Sequence, residues 1–244
     1  HSSILSAIFS PAIRLMNRLT YPRKFILVGC LFALPLGVVL FLLIGEINDR
    51  TDFAKKEVAG NKMLKPLRST LESLQRDRGM EYAFKNGVTF VSQDDLEKSK
   101  KDIRRDIDKT AVVEEEIKSI VPVTPRGASF LEDWKTRLES DASQTSEENF
   151  KEDTRQIADL LKVITDVADR SNLILDPDLD SYYLMDLVVT RLPALTEQIG
   201  QARGWGVAVV SNKMIKPYDA FFLSSLIGVI IQARENVLYD FDVM

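Results

Sequence analysis

From Phe25 to Ile44 the chain reads FILVGCLFALPLGVVLFLLI, twenty residues without a charge. As a helix rising about 1.5 Å per residue, such a run spans roughly the 30 Å hydrocarbon core of a bilayer. Its length and uniformity predict a transmembrane helix rather than a buried core helix, and Pro35 at mid-span is tolerated there as a kink. Beyond the run the pattern turns periodic. Leu64, Leu67, Leu71 and Leu74 recur at steps of three and four, so the membrane helix is expected to continue outward as the first helix of a bundle. Pro66 is expected to bend or break it, and Asn86-Gly87 to end it.

Further amphipathic stretches follow. Leu96, Ile103, Ile107, Ile117 and Ile120 form a thin apolar stripe on a second helix from Asp94 to about Ile120, closed by Pro122 and Pro125. A short third helix turns Phe130, Leu131, Trp134 and Leu138 inward. Ser146 is expected to cap a fourth helix that runs to Leu173. Asp176 as cap, Pro177 as first residue, and Asp178 and Asp180 in the first turn spell the start of a fifth, with Pro193 as its kink. A sixth starts near Tyr218; its apolar run Ala220 to Ile231 is too short to span a bilayer. No stretch alternates with period two, so the class is all-α: a transmembrane helix continuing into an elongated antiparallel helical bundle.

Charge sets the expected orientation. Arg14, Arg18, Arg23 and Lys24 precede the span with no acidic residue before them, whereas Glu46, Asp49 and Arg50 follow it. Lys and Arg stay in the cytoplasm, which predicts residues 1–24 inside, 25–44 in the membrane and 45–244 outside, in the periplasm. Residues 3 to 20 place Ile4, Leu5, Ile8, Phe9, Ile13 and Met16 opposite Arg14 and Arg18, as in a helix lying on the inner membrane surface. GEINDR after the span offers no small-x-small cleavage site, so the helix is expected to be a retained anchor. The chain starts without Met, and its last helix reaches Met244 with no cap, so a piece of a longer protein is expected.

The net charge of −4 hides a purely basic start. That charge is local and explained by anionic lipid, which argues against nucleic acid as a partner. Cys30 and His1 are the only cysteine and histidine. Catalytic triads, histidine metal sites and thiol chemistry are therefore excluded, and no catalytic residue, metal or cofactor is assigned. Asp176, Asp178 and Asp180 have calcium-like spacing, but Ser181 and Leu187 stand where an EF-hand needs Gly and Glu.

The candidate site is a pair of arginines. Four residues beyond Leu74, the apolar seam lands on Arg78, and a buried guanidinium must find an anion or acceptor. TLESLQRDRGMEYAF (70–84) and LTEQIGQARGWGVAV (195–209) align Arg78 on Arg203, Gly79 on Gly204, Glu72 on Glu197 and Ala83 on Ala208. Were the two helices neighbours, Arg78 and Arg203 would hold a small anion beside the glycines, with Tyr82 and Trp205 as walls. The alternative is that each arginine pairs with an internal carboxylate such as Asp77, Glu81 or Asp186. The aromatic pairs Tyr182-Tyr183 and Phe221-Phe222 are read as core.

The strings LTYPRKFILVGCLFALPLGVVLFLLIGEI and SNLILDPDLDSYYLMDLVVTRLPALTEQIGQARG resemble the N-terminal sensory part of bacterial methyl-accepting chemotaxis receptors. Similar input regions precede sensor histidine kinases and diguanylate cyclases. The DPDLDSYYLMD string is the most specific part of the likeness, and the Arg-Gly pairs faintly resemble a nitrate-sensing helical bundle. The resemblance implies a periplasmic helical sensor in the inner membrane, dimeric, taking a small-molecule or anionic ligand or a periplasmic binding protein, and passing helix movement inward. A membrane-anchored scaffold that binds a partner protein is the reading from another class; an enzyme is not expected.

Overall fold

The structure is a computed structural model describing residues 14, 16–122, 124–139, 145–175 and 179–244, without the side chains of 138 and 139. It is all-α, with no strand among the described residues. The elements are α1 (Tyr21–Lys85), α2 (Gln93–Ile117), α3 (Pro125–Glu139), α4 (Ser146–Arg170), α5 (Leu179–Asp186), a π-helical turn (Leu187–Arg191), α6 (Leu192–Ser211) and α7 (Pro217–Val243). The chain divides into two compact units, His1–Asp52 and Phe53–Met244. The division falls past the expected end of the span at Ile44.

In the first unit the apolar run has no protein around it. Its large side chains are open to the surroundings throughout, from Phe25 at 74 % to Ile44 at 58 %. A buried core helix is thereby ruled out for this stretch; by length and composition it can cross a membrane, and an apolar surface of this size needs lipid or another apolar partner. Helix α7 also contains a window apolar enough to cross, although part of it packs inward. The amphipathic helix expected over residues 3–20 lies mostly outside the described residues.

The second unit is a bundle. Lys62 meets Glu116, Thr70 meets Thr110 and Ser73 meets Asp106, which sets α2 antiparallel to α1. Arg126 to Asp166 and Arg137 to Asp153 do the same for α3 and α4. Trp205 to Asp219, and Arg191 of the π turn to Asp240, do so for α6 and α7. One apolar cluster joins Met63, Leu64, Leu67, Leu71 and Leu74 of α1 to Ile103 and Ile107, to Phe130 and Trp134, and to Ile157, Leu160 and Ile164. These are the periodic positions of the sequence, so burial followed the stripe. Leu138 lies outside the described side chains.

Each proline has a distinct outcome. Pro66 leaves α1 unbroken. Pro193 is accommodated by the π turn. The Leu192 N–H reaches back five residues to the Leu187 carbonyl, a spacing that leaves the Val188 carbonyl facing Pro193, which has no N–H to give. Arg68 Nη2 donates to that carbonyl instead, at 3.3 Å. The expected simple kink is thus a widened turn.

The caps differ slightly from expectation. Thr145, not Ser146, caps α4 in a capping box with Glu148, because its extended backbone lets Oγ1 accept from the Glu148 N–H. Ser92 and Asp95 form the same box on α2. Asn86 and Gly87 do end α1, with Gly87 at φ +76° and the Val88 N–H returning to the Ala83 carbonyl. Helix α4 stops at Arg170, short of Leu173, where Asn172 turns left-handed at φ 63°. Residues 176–178, including the expected cap Asp176, Pro177 and Asp178, lie outside the described residues. Asp180 is exposed in α5.

That turn after α4 presses Ser171 onto Gly60. A Cβ at Gly60 would sit 2.0 Å from Ser171 Oγ and 2.2 Å from its Cβ. Gly60→Ala should therefore lower stability by about 1–3 kcal/mol through overpacking. Gly206→Ala, with nothing within 4 Å of the added carbon, should be neutral or stabilising. Thermal unfolding followed by circular dichroism separates the two.

Candidate functional site

Arg78 stands on the apolar seam of α1 as its spacing requires, and it is 1 % exposed. Its charge is balanced from α6: Nη1 donates to Glu197 Oε1, and Nη2 to Oε2 at 3.2 Å. Thr154 Oγ1 of α4 accepts a further bond from Nη1 at 3.0 Å. Glu197, 3 % exposed, is saturated in turn by Gln75 Nε2 on Oε2 at 2.9 Å and Gln201 Nε2 on Oε1 at 2.7 Å. A fork on a carboxylate whose remaining lone pairs are also filled is the arrangement in which a buried ion pair offsets its desolvation cost. Phe150 covers the guanidinium, its ring centroid 5.0 Å from Cζ.

Glycine makes the approach possible. A Cβ at Gly204 would lie 3.4 Å from Gly79 Cα and 3.2 Å from Phe150 Cε2, and one at Gly200 would lie 3.3 Å from Arg78 Nη2. The two glycines that the internal alignment superposes thus face each other across α1 and α6. The neighbouring rings close the space: Tyr82 stacks on Trp205 at 4.9 Å and 22°, and Phe150 and Phe222 lie within 5.2 Å of Trp205. Trp205 Nε1 donates to Asp219 Oδ1 at 2.9 Å, while Asp219 Oδ2 accepts the Lys216 N–H at the start of α7. Burial pushes the Tyr82 hydroxyl up, away from ionisation, with Glu147 and Asp219 adding to it.

Of the four expected site residues, Arg78, Tyr82 and Trp205 are brought together and Arg203 is not. Arg203 is exposed and takes no part in the hydrogen bonds or ion pairs around Arg78. Tyr82 and Trp205 pack on each other instead of walling a cavity. The carboxylates expected as alternatives to an anion are engaged elsewhere: Asp186 with Arg191, Glu81 with Lys85 and Asn149, and Asp77 with Ser99. Glu197, the partner chosen, was present in the alignment opposite Glu72. Glu72 is exposed and pairs locally with Arg76, so the second half of the sequence match has no counterpart contact.

A second polar centre lies between α1, α2, α3 and α4. Asp77 and Asp153 are both buried, at 7 % and 4 % exposure. Asp153 is ion-paired with Arg137, whereas Asp77 is hydrogen-bonded by Ser99 with Lys100 and Arg137 acting from further off, and its Oδ1 has no hydrogen-bond partner. Burial raises Asp77 to about 6, opposed by Ser99 and reinforced by Glu81. Burial likewise raises Asp153 to about 7; Arg137 opposes this, and Glu81 and Asp77 add to it. Among the described residues no group of three ligating side chains is placed to hold a metal ion.

Two measurements follow. Glu197→Ala strands a buried guanidinium and should cost about 3–5 kcal/mol, whereas pairing it with Arg78→Met should restore much of the loss; chemical denaturation of single and double variants checks this. The raised carboxylates bind protons more tightly folded than unfolded, so stability should rise as pH falls from about 7 toward 5. Below about 5 the opposite linkage sets in, because groups held low in the fold, such as Glu152 at about 2, take up protons at their ordinary values in the unfolded chain. Asp77→Asn should flatten the rise in melting temperature between pH 7 and pH 5.

The chain matches no protein-family model, no curated protein and no solved structure.

Proposed function

We propose that this chain is the ligand-sensing input region of a transmembrane signal transducer of the chemotaxis-receptor type. The observation that carries the reading is α1. Its first half presents an uncovered apolar surface long enough to cross a bilayer, and its second half supplies the core stripe and Arg78 of the bundle. A helix that belongs to both environments can convert repacking of the bundle into a small shift, tilt or rotation of the span. The basic residues before the span support an N-terminus in the cytoplasm and a bundle in the periplasm. The output this region drives is a chemotaxis module in this reading, with a histidine kinase or diguanylate cyclase as the variants. No catalytic step is assigned to it.

A dimer fits the same reading. Phe221, Ile227, Ile231, Leu238 and Phe241 are exposed along α7. A second copy, held in the same membrane, supplies apolar cover for such a face. The same exposed residues are also what a scaffold protein would offer a different partner.

Expression of the chain with and without residues 21–44 tests the reading. The complete chain should sediment with membranes and resist alkaline extraction, and externally added protease should reach the bundle in spheroplasts. The shortened chain should be released. A soluble complete chain, or a bundle protected in the cytosol, removes the proposal.

A further inference from the structure

The π turn Leu187–Arg191 is held by two ties that an ordinary α-turn does not allow. The first is Arg68 of α1, whose half-buried guanidinium gives Nη2 to the Val188 carbonyl at 3.3 Å. Its Nε has no hydrogen-bond partner, and no carboxylate among the described residues is in salt-bridge reach, so a backbone carbonyl is its one acceptor there. Burial works against its charge with nothing to offset it. The second tie is Arg191, whose Nε donates to Asp186 Oδ2 at 2.8 Å. Five residues apart, these side chains stack over one π turn, whereas on an α-helix they would point about 140° apart. Arg191 Nε also lies 3.4 Å from Oδ2 of Asp240, a residue of α7 that is 1 % exposed.

Pro193 defines the alternative. In an α-turn the Leu192 N–H would go to Val188, four residues back, and fill the carbonyl that Arg68 now fills. The carbonyl that Pro193 leaves unserved would then be that of Val189, about 100° further round the helix axis. Only the wide setting puts the unserved carbonyl in front of Arg68. We propose that Leu187–Arg191 is a register latch with two settings, held wide by the Arg68 guanidinium on the Val188 carbonyl, and that drawing Arg68 away closes it to an α-turn. Closing rotates α5 by about 100° against α6, which Glu197 keeps fixed on Arg78. It also parts Arg191 from Asp186 and takes the cation away from buried Asp240, so the setting is felt in the last turns of α7. Arg68 belongs to α1, and a turn or shift of that helix is what draws it away. The latch goes beyond the receptor reading and does not depend on it, since it lies wholly within the bundle.

Nitroxide labels on the complete chain in detergent micelles, with Cys30→Ala as background, read the setting by electron–electron distance measurement. One label is placed through Glu115→Cys on α2. The other is placed through Tyr182→Cys or Leu184→Cys, exposed positions about 200° apart on α5. On a helix about 10–12 Å across, a rotation of about 100° moves a label roughly 8 Å. Arg68→Met should therefore shift the 115–182 and 115–184 separations by several Å and in opposite senses. Pro193→Ala supplies the missing N–H, which lets the α-turn close with every carbonyl filled, and should give the same shifted separations with Arg68 still in place. Adding Arg68→Met to Pro193→Ala should move neither separation further. A folded Arg68→Met or Pro193→Ala that keeps the wild-type separations overturns the latch. So does broadening at both positions without a new distance, the mark of local unravelling rather than a second setting. If Arg68→Met does not fold, Pro193→Ala decides alone.

Discussion

A guanidinium taken out of water must be given an anion, and in this bundle that requirement ties α1 to α6. Because both oxygens of Glu197 are used by Arg78, the two helices are fixed in register as well as in distance. A slide of one turn would leave two opposite charges buried without partners, which costs far more than a lost apolar contact. The glycines at 200 and 204 follow from this demand, since a Cβ at 200 would crowd the fork and one at 204 the ring that covers it and the backbone at Gly79. The aromatic stack then carries the constraint to α7 through the Trp205 bond to Asp219.

The seam between α1 and α2 is built differently. Beside the leucines and isoleucines it shares with the core, it carries a ladder of polar pairs, Thr70 with Thr110, Ser73 with Asp106 and Asp77 with Ser99. Asp106 has cations beside it: burial works to raise it, but the Ser73 hydrogen bond and Arg105 outweigh that and hold it low. Asp77, one rung further, has no ion pair, and its burial outweighs Ser99 and the longer-range pull of Lys100 and Arg137, so it is held high. Two carboxylates on one seam therefore differ in charge state across the mildly acidic range, and the difference arises from where Arg105 and Lys109 reach.

What could be read in advance divides along the same physical line. The apolar run, the leucine stripe and the end of α1 at Asn86-Gly87 are local or periodic signals, and these were legible because the cause of each lies within a few residues. The widened turn at Leu187–Arg191 was not, because it depends on Arg68 being available to the Val188 carbonyl from a residue far away in sequence. Arg78 was legible as a buried charge in need of an anion, but its partner was not. Asp77, Glu81 and Asp186 were as plausible by composition as Glu197, and the choice among them is made by the Gly79–Gly204 approach in three dimensions. Arg203 misled for the converse reason: a match of residue types between two helices carries no information about which face each helix turns inward.

These two kinds of seam have consequences for motion. Interdigitated apolar side chains and a saturated ion pair resist sliding, because any displacement opens voids or strands charges. Hydroxyl and carboxylate pairs can exchange partners at smaller cost, since a rotated Ser or Thr finds another acceptor within the same turn. In the proposed receptor, α1 is therefore held firmly where it meets α6 and more loosely where it meets α2. The small apolar cavity between the helices touches α1 at Met63 and Leu67 and α2 at Thr110, Glu114 and Ile117, across that looser seam. For a shift in population to result, whatever binds the bundle must do so with an affinity that differs between two settings of that contact.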